Sequence, residues 1–111
     1  MPMITITDFI KLDIRVGQVV DARINEKAIK PSLILQIDFG PLGIKGSSAQ
    51  LCDNYQCADL VGRQILAVVN LPPRRVGGFK SEVLVLAVIC ERNGTVLISP
   101  DETVELGSKL A

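Results

Sequence analysis

Apolar residues alternate with polar ones over most of the chain, which is the spacing of β-strands. The alternation predicts one long, bent strand over residues 12–24, with Gly17 at the bend or bulge because it has no side chain to pack. The segment 83–90 is apolar without interruption, which predicts a strand buried on both faces. Shorter strands are predicted over residues 33–39, 47–50, 64–70 and 96–98.

The segments between these strands carry turn and helix signals. Thr7 is a suitable N-cap for a single helical turn near the start, and residues 53–61 have the spacing of one or two helical turns. Pro72-Pro73 ends the strand before it, since neither residue can donate to a ladder. Residues 74–80 are then predicted to form a loop. Asn93-Gly94 predicts a tight hairpin between the last two strands.

Many short strands with little helix predict an all-β fold, either a barrel or a sandwich. Closure into a barrel would remove the exposed strand edges. The small helix between the third and fourth long strands favours a five-stranded oligonucleotide/oligosaccharide-binding (OB) barrel with short terminal extensions. The length of 111 residues and the hydrophobic share of 48% predict one domain over residues 1–111.

The charge balance excludes attraction of polyanions by the whole molecule, because twelve basic residues match twelve acidic ones. The charges are nevertheless separated. Residues 59–81 carry four basic side chains and one acidic one, whereas residues 82–111 carry two and five. Arg74, Arg75 and Lys80 stand beside Gly77-Gly78, where a flexible backbone can approach a phosphate closely. A solvated charged loop is the alternative.

The residue inventory argues against catalysis. Histidine is absent, which removes the usual general base, triads and imidazole metal ligands. Residues 77–81 fail the phosphate-loop motif of nucleotide hydrolases because Phe79 stands where glycine is required. Cys52, Cys57 and Cys90 lack a fourth zinc ligand other than a carboxylate, and are predicted to be unpaired, buried thiols. We expect no metal, no cofactor and no enzymatic activity.

Targeting signals are equally sparse. No apolar run is long enough to cross a bilayer, and no charged start leads into an apolar segment of the kind that directs secretion. Together with the odd cysteine count, these observations predict a reducing, cytoplasmic location.

Two features in the polar segments have open interpretations. The hydroxyls of Ser47 and Ser48 suit a phosphate, a ribose or a base edge, but equally suit their own backbone. Phe79 is the only ring in the basic segment and either stacks on a base or anchors the segment, with the anchor favoured.

Several sequence blocks, taken in order, resemble one family. They are Asp8-Phe9-Ile10-Lys11-Leu12-Asp13-Ile14-Arg15-Val16-Gly17, Ile37-Asp38-Phe39-Gly40, Gly43-Ile44-Lys45, Ser47-Ser48-Ala49-Gln50, Asn70-Leu71-Pro72-Pro73-Arg74-Arg75, Gly78-Phe79-Lys80-Ser81-Glu82-Val83-Leu84-Val85-Leu86 and Pro100-Asp101. They resemble the tRNA-binding domain family related to the endothelial-monocyte-activating polypeptide II domain and the C-terminal domain of methionyl-tRNA synthetase. The likeness is greatest to its free-standing, CsaA-type branch.

The resemblance implies an OB barrel that forms a homodimer and recognises tRNA by structure rather than by sequence. For the CsaA-type branch it also implies a chaperone activity linked to protein export, with unfolded peptides bound in apolar pockets. An assembly module that recruits a synthetase or an export factor is a further alternative. Carried over by position, the nucleic-acid face consists of Ser47, Ser48, Asn70, Lys80 and Ser81, with Arg74 and Arg75 adding phosphate contacts.

The apolar terminal segments agree with a dimer. Residues 3–6 at the start and Val104, Leu106 and Leu110 at the end are apolar but too short to form cores of their own. Pairing across a two-fold axis would bury them. The alternative is that they close the ends of the barrel.

Overall fold

The computed structural model describes residues 1–111. It contains two single-turn helices, nine strands and a 3₁₀ turn at Gly40–Leu42. The helices and strands are α1 (Ile6–Ile10), β1 (Ile14–Asn25), β2 (Ser32–Asp38), β3 (Ile44–Ala49), α2 (Cys57–Leu60), β4 (Gln64–Val68), β5 (Arg74–Val76), β6 (Phe79–Ser81), β7 (Leu84–Val85), β8 (Ala87–Cys90) and β9 (Gly94–Leu97).

Five of the strands form one antiparallel sheet in the order β3-β2-β1-β4-β7. The sheet curls into a half-barrel, and two separate hairpins, β5–β6 and β8–β9, complete it. The predicted all-β, OB-type architecture is therefore confirmed. The hairpin predicted at Asn93-Gly94 is also confirmed, with φ +73° at Gly94.

The bulge in β1 lies three residues after the predicted position. The pairing of β1 with β2 shifts register between Val19 and Asp21, so the bulge is at Val20 rather than at Gly17. Gly17 instead lies under the core, where an added Cβ would be 2.5 Å from Ile37 Cγ2. Its missing side chain serves packing and not a bend.

The main core fills the concave side of the sheet. Its fully buried members include Leu35, Ile37, Phe39, Leu60 and Ile65. A second, smaller cluster lies on the opposite face of β1 and β4 and comprises Ile14, Val16, Leu66 and Val68, covered by Leu86 and Ile98. The strands β1 and β4 are thus buried on both faces, by the main core on one side and by the smaller cluster on the other.

The prediction that residues 83–90 are buried on both faces is wrong. The segment divides into β7 and β8, and Val88 and Ile89 are exposed. The division falls at Leu86, whose N–H donates to Leu66 O at 2.9 Å and whose carbonyl accepts from Ile98 N at 3.3 Å. The chain changes partner there, which turns the second half of the segment outward.

The first helix begins earlier than predicted. Its N-cap is Thr5 and not Thr7: the Thr5 side chain accepts from the Asp8 N–H at 3.2 Å, and the Asp8 carboxylate accepts from the Thr5 N–H at 3.1 Å. This reciprocal capping box satisfies two donors that Thr7, inside the helix, cannot reach. The second predicted helix is confirmed as α2.

The C-terminal segment is held against the start of β1. Val16 N–H donates to Ser108 O, and Leu110 N–H donates to Ile14 O, both at 2.9 Å. Arg15 bonds Gly107 O at 2.9 Å and the Asp13 carboxylate at 2.6 Å. The Arg15 guanidinium lowers the pKa of Asp13, so this carboxylate remains ionised well into the acid range.

The three cysteines are unpaired, as predicted, but they are not buried. Cys52 is exposed, while Cys57 and Cys90 are half-buried, because all three lie in surface segments around α2 and at the end of β8. Desolvation by the surrounding chain raises the pKa of Cys52, and the neighbouring Asp53 and Cys57 raise it further. The Cys52 thiol is therefore protonated at neutral pH. No helix has the length and hydrophobicity needed to cross a membrane.

Candidate nucleic-acid interface

The basic segment is a β-hairpin rather than the predicted loop. β5 and β6 pair in antiparallel fashion around Gly77 and Gly78, whose φ angles are +55° and +80°. Two successive glycines with positive φ make a two-residue turn whose twist matches that of the flanking strands. The two glycines, which the sequence pattern suggested as a source of flexibility, thus hold the basic residues in a defined register.

The hairpin register decides which cations share a face. Arg75 stands directly opposite Lys80, and Arg74 stands opposite Ser81. Because successive residues of a strand point to opposite faces, Arg74 and Arg75 point away from each other. The two arginines are therefore not a single guanidinium pair.

The cations of the hairpin have no acidic partner. The two ion pairs in the structure join Lys11 to Asp8 and Arg15 to Asp13. Arg75 makes one internal contact, from Nη1 to Gly78 O at 3.1 Å. Like charges opposite each other on a ladder are unfavourable, so an external anion between Arg75 and Lys80 would be stabilising.

The tip of the hairpin is packed on the loop between β1 and β2. The buried Asn25 side chain donates to Val76 O at 3.0 Å and accepts from the Lys27 N–H at 3.2 Å. A Cβ on Gly77 would be 2.6 Å from Ala28 N. The hairpin and the loop are thus held together by the Asn25 side chain and by a close backbone approach that leaves no room for a side chain at Gly77.

The second strand of the hairpin and the residue that follows it are packed on β3. The ring of Phe79 lies over Gly46, where an added Cβ would be 2.6 Å from Phe79 Cζ. Glu82 bonds the same residue from both its groups: its N–H donates to Gly46 O at 2.8 Å and its carboxylate accepts from Gly46 N at 3.2 Å. The geometry agrees with an anchoring role for Phe79.

A groove of about 840 Å³ lies between the β5–β6 hairpin and the β1–β2 loop. Lys27 and Lys30 line it from the loop, and Arg74 and Arg75 line it from the hairpin. We call these four side chains and the space between them the cationic groove. No aspartate or glutamate lines it, and residues of β3, β7 and β8 form much of the rest of its surface.

The two lysines of the cationic groove were not predicted from the sequence. They lie more than forty residues before the arginines, so no local charge count brings the two pairs together. The signal that would have found them is topological, since the loops after the first and before the last strand of an OB barrel flank the same face.

Three of the predicted site residues are buried serines whose hydroxyls are bonded inside the protein. Ser47 Oγ donates to Val83 O at 2.9 Å, and Ser81 Oγ accepts from the Ser48 N–H at 3.0 Å. The hydroxyls of Ser48 and Ser32 bond each other at 3.1 Å. The three predicted serines join β3 to the segment 81–83, and of these three Ser48 borders the cationic groove.

Asn70 and Lys80 lie outside the groove. Both groups of the Asn70 side chain are engaged, since Oδ1 accepts from the Asp13 N–H at 2.9 Å and Nδ2 donates to Lys11 O at 2.8 Å. Asn70 thereby fixes the connection between α1 and β1. Lys80 is exposed on the hairpin face that it shares with Arg75. Of the seven predicted residues, the structure brings Arg74, Arg75 and Ser48 to the groove.

Solved structures with a similar fold cover nearly the whole chain. The CsaA chaperone of Bacillus anthracis is 47% identical with a TM-score of 0.94, covering 99% of this chain and 100% of that one. The CsaA chaperone protein of Picrophilus torridus is 46% identical with a TM-score of 0.93, covering 98% and 100%.

Curated relatives extend the likeness to synthetases. The methionine–tRNA ligase of Methanococcoides burtonii is 33% identical over 106 residues, which are 96% of this chain. The chain spans only 15% of the length of that ligase. Residues 14–109 match the family model described as "Putative tRNA binding domain". Because this match covers most of the chain and the chain folds as an OB-type half-barrel, the chain belongs to the tRNA-binding domain family.

Proposed function

We propose that the chain is a non-catalytic module that binds tRNA through the cationic groove, recognising its shape and phosphates rather than its sequence. The observation that carries this proposal is the convergence of Lys27, Lys30, Arg74 and Arg75 on one groove without a carboxylate. Guanidinium groups match phosphate geometry in a bidentate manner, and lysines add point charges. A chain with zero net charge thus presents a positive surface of limited extent.

The remaining predicted residues are proposed to act in two ways. Lys80 lies outside the groove, directly across the ladder from Arg75, and would bind a further phosphate beside it. Ser47, Ser48 and Ser81 hold β3 and the hairpin base at a fixed separation, which positions the groove floor. Asn70 supports the α1–β1 connection and would reach RNA only after exchanging its internal bonds.

The salt dependence of tRNA binding tests the groove directly. The slope of log K against log salt concentration is negative. Removing one cation that neutralises a phosphate makes this slope less steep by about 0.7–0.9. We therefore expect Lys27→Gln/Lys30→Gln and Arg74→Ala/Arg75→Ala each to reduce the slope by about 1.4–1.8 and to weaken binding roughly tenfold at physiological salt. Fluorescence anisotropy titrations at several salt concentrations measure both quantities.

A matched control removes two cations elsewhere. Lys11 and Lys109 lie beside the start of β1 and do not line the groove, so Lys11→Gln/Lys109→Gln should leave affinity and slope near the wild-type values. Equal losses in the control and the groove variants would indicate a diffuse charge effect and contradict the assignment.

We further propose that the chain forms a homodimer through its N-terminal segment. Met3, Ile4, Ile6 and Ile10 are all exposed, and Ile6 and Ile10 lie on the same side of α1. Burying this apolar surface against a second copy would stabilise an isologous pair. Sedimentation analysis should show a dimer that dissociates in Ile4→Asp/Ile6→Asp, whereas Ile89→Asp should remain dimeric. A wild-type monomer at high concentration contradicts the proposal.

A second candidate function is the binding of unfolded polypeptides. Leu84, Val88 and Ile89 expose apolar side chains that the sequence pattern predicted to be buried. Peptide binding by such a surface would survive high salt, because apolar burial is not screened. Competition between tRNA and an unfolded polypeptide at low and high salt separates the two functions.

A further inference from the structure

One edge of the β8–β9 hairpin is covered by side chains from the segment before α2. Leu97 N–H donates to the Tyr55 hydroxyl at 3.0 Å, and Asn54 Nδ2 donates to Thr95 O at 2.7 Å. Leu97 and Thr95 therefore direct these backbone groups away from β8. The outer edge of β9 is thus satisfied within the chain.

The outer edge of β8 has no such cover. Ala87 stands opposite Leu97, and Ile89 stands opposite Thr95. Opposite residues of an antiparallel pair either exchange both backbone bonds or exchange neither, so the backbone groups of Ala87 and Ile89 also point outward. β8 pairs with no strand other than β9, and no turn or loop bonds either residue. The N–H and carbonyl groups of both residues are therefore free.

β8 also lacks the features that usually keep an exposed edge from pairing. Native edge strands are commonly protected by lysine, proline or a bulge. β8 reads Ala87-Val88-Ile89-Cys90 and pairs with β9 without a register shift. Val88 is 54% exposed on one face, and Ile89 is 88% exposed on the other. A regular, apolar strand with free backbone groups is suited to pairing with a further strand.

Glu91 indicates that this further strand is the β8 of a second copy. Its side chain is exposed and forms no ion pair. Ala87, at the other end of β8, lines the cationic groove, whose four cations have no carboxylate partner. When two β8 strands pair in antiparallel fashion about Ile89, Glu91 of each copy stands opposite Ala87 of the other, on the same face of the sheet. Each copy then supplies the anion that the groove of the other lacks.

We propose that two copies of the chain pair their β8 edges about a two-fold axis at Ile89, and that this pairing closes the cationic groove to tRNA. The register places Ile89 against Ile89 and Val88 against Cys90, so apolar side chains meet on both faces. Ala87 and Ile89 line the groove, so the added strand occupies space that a bound tRNA needs. This interface is separate from the N-terminal one, and the effect on tRNA rests on the proposed function of the groove.

Disulfide trapping tests the pairing and its register. Position 88 of one copy is opposite Cys90 of the other in a pair without backbone bonds, where side chains approach closely enough for a disulfide. Val88→Cys is combined with Cys52→Ser/Cys57→Ser, which leaves Cys90 as the one native thiol. Diamide accepts the two hydrogens of the thiol pair. At high protein concentration it should convert most of this variant into a covalent dimer on a non-reducing gel.

Two controls fix the register. Adding Cys90→Ser leaves the introduced thiols as diagonal neighbours about 7–8 Å apart, too far for a disulfide, so the covalent dimer should be lost. Cys52→Ser/Cys57→Ser alone should give no covalent dimer for the same reason, since the two Cys90 residues are also diagonal. A covalent dimer in that control would show a different register and overturn the assignment.

Two further changes test the chemistry of the interface. Adding Ile89→Asp to the trapping variant places two carboxylates opposite each other and should reduce the covalent dimer about tenfold. Adding Glu91→Gln should reduce it and remove its dependence on salt concentration, because the groove contact is then uncharged. Ile4→Asp/Ile6→Asp should leave trapping unchanged, because the N-terminal interface is a different surface.

Competition with tRNA separates this inference from the proposed function. Saturating tRNA, added before the oxidant, should strongly suppress the covalent dimer. If no covalent dimer forms, or if tRNA leaves its amount unchanged, while Lys27→Gln/Lys30→Gln still weakens tRNA binding, the inference alone is overturned. Unchanged tRNA binding by the lysine variant would overturn the proposed function and with it the closing of the groove. Protection of the position 88 thiol by an unfolded polypeptide, without a covalent dimer, would make the edge a peptide site and overturn the inference.

Discussion

Replacement of Gly77 by alanine is expected to weaken tRNA binding about tenfold and to lower the free energy of unfolding by about 2–3 kcal/mol. Two costs combine. A φ of +55° is unfavourable for any residue with a Cβ, by about 1–2 kcal/mol. The added Cβ would also lie 2.6 Å from Ala28 N and 2.7 Å from the Lys27 carbonyl carbon, which are backbone atoms that cannot turn aside.

The reduced affinity follows because the hairpin and the loop carry opposite sides of the groove. Separating them moves Arg74 and Arg75 away from Lys27 and Lys30 without removing any charge. Chemical denaturation measures the stability, and anisotropy measures the affinity.

Gly78→Ala is the matched control. Its φ of +80° carries the same kind of backbone cost, but no atom lies within 4 Å of the added Cβ. We expect a decrease of about 1–2 kcal/mol in stability and an affinity within twofold of the wild type. If Gly78→Ala weakens tRNA binding as much as Gly77→Ala, the docking of the hairpin on the loop does not determine the groove geometry.

Replacement of Gly17 by alanine is expected to cost about 3 kcal/mol of stability, near the upper end of the usual range for overpacking. The cause is packing alone, since Gly17 has no positive φ. The added Cβ would lie 2.5 Å from Ile37 Cγ2 and 2.7 Å from Phe39 Cε1, and both side chains are fully buried. At about 4 °C per kcal/mol for a domain of this size, the melting temperature should fall by roughly 12 °C.

A further variant isolates the packing cost. Phe39→Leu removes the ring that crowds Gly17, and the double variant Gly17→Ala/Phe39→Leu should lose less stability than the sum of the single variants. Strict additivity would show that the ring is not what excludes a side chain at Gly17.

Much of the fold was predictable from local pattern. The positions of β2, β4 and the β8–β9 hairpin follow from alternation and from Asn93-Gly94, because these signals act between near neighbours. Two of the errors have a shared origin. The packing of Gly17 and of residues 83–90 depends on which distant segments lie against them, and alternation does not report that. The error at residues 74–80 is local, because Gly77-Gly78 is itself a hairpin turn signal.

The site was predictable only in part. Arg74, Arg75 and Lys80 were found because they are close in sequence, but their division between two faces depends on the hairpin register. Ser47, Ser48 and Ser81 were assigned to the nucleic-acid face by position, from the family resemblance. In the structure the hydroxyls of Ser47 and Ser81 join two segments separated by more than thirty residues, and the Ser48 hydroxyl bonds Ser32.

The sequence by itself determined the class of fold, the absence of the usual catalytic groups and the presence of a basic segment, since each depends on composition or on the spacing of near neighbours. Only the tertiary structure decided that Lys27 and Lys30 face the arginines, that Ile29 and Ile89 remain in water, and that the serines lie inside. The physical reason is that a half-barrel brings remote loops together through backbone contacts, and the contacts at Asn25 and Gly77 exist only after the sheet has curled.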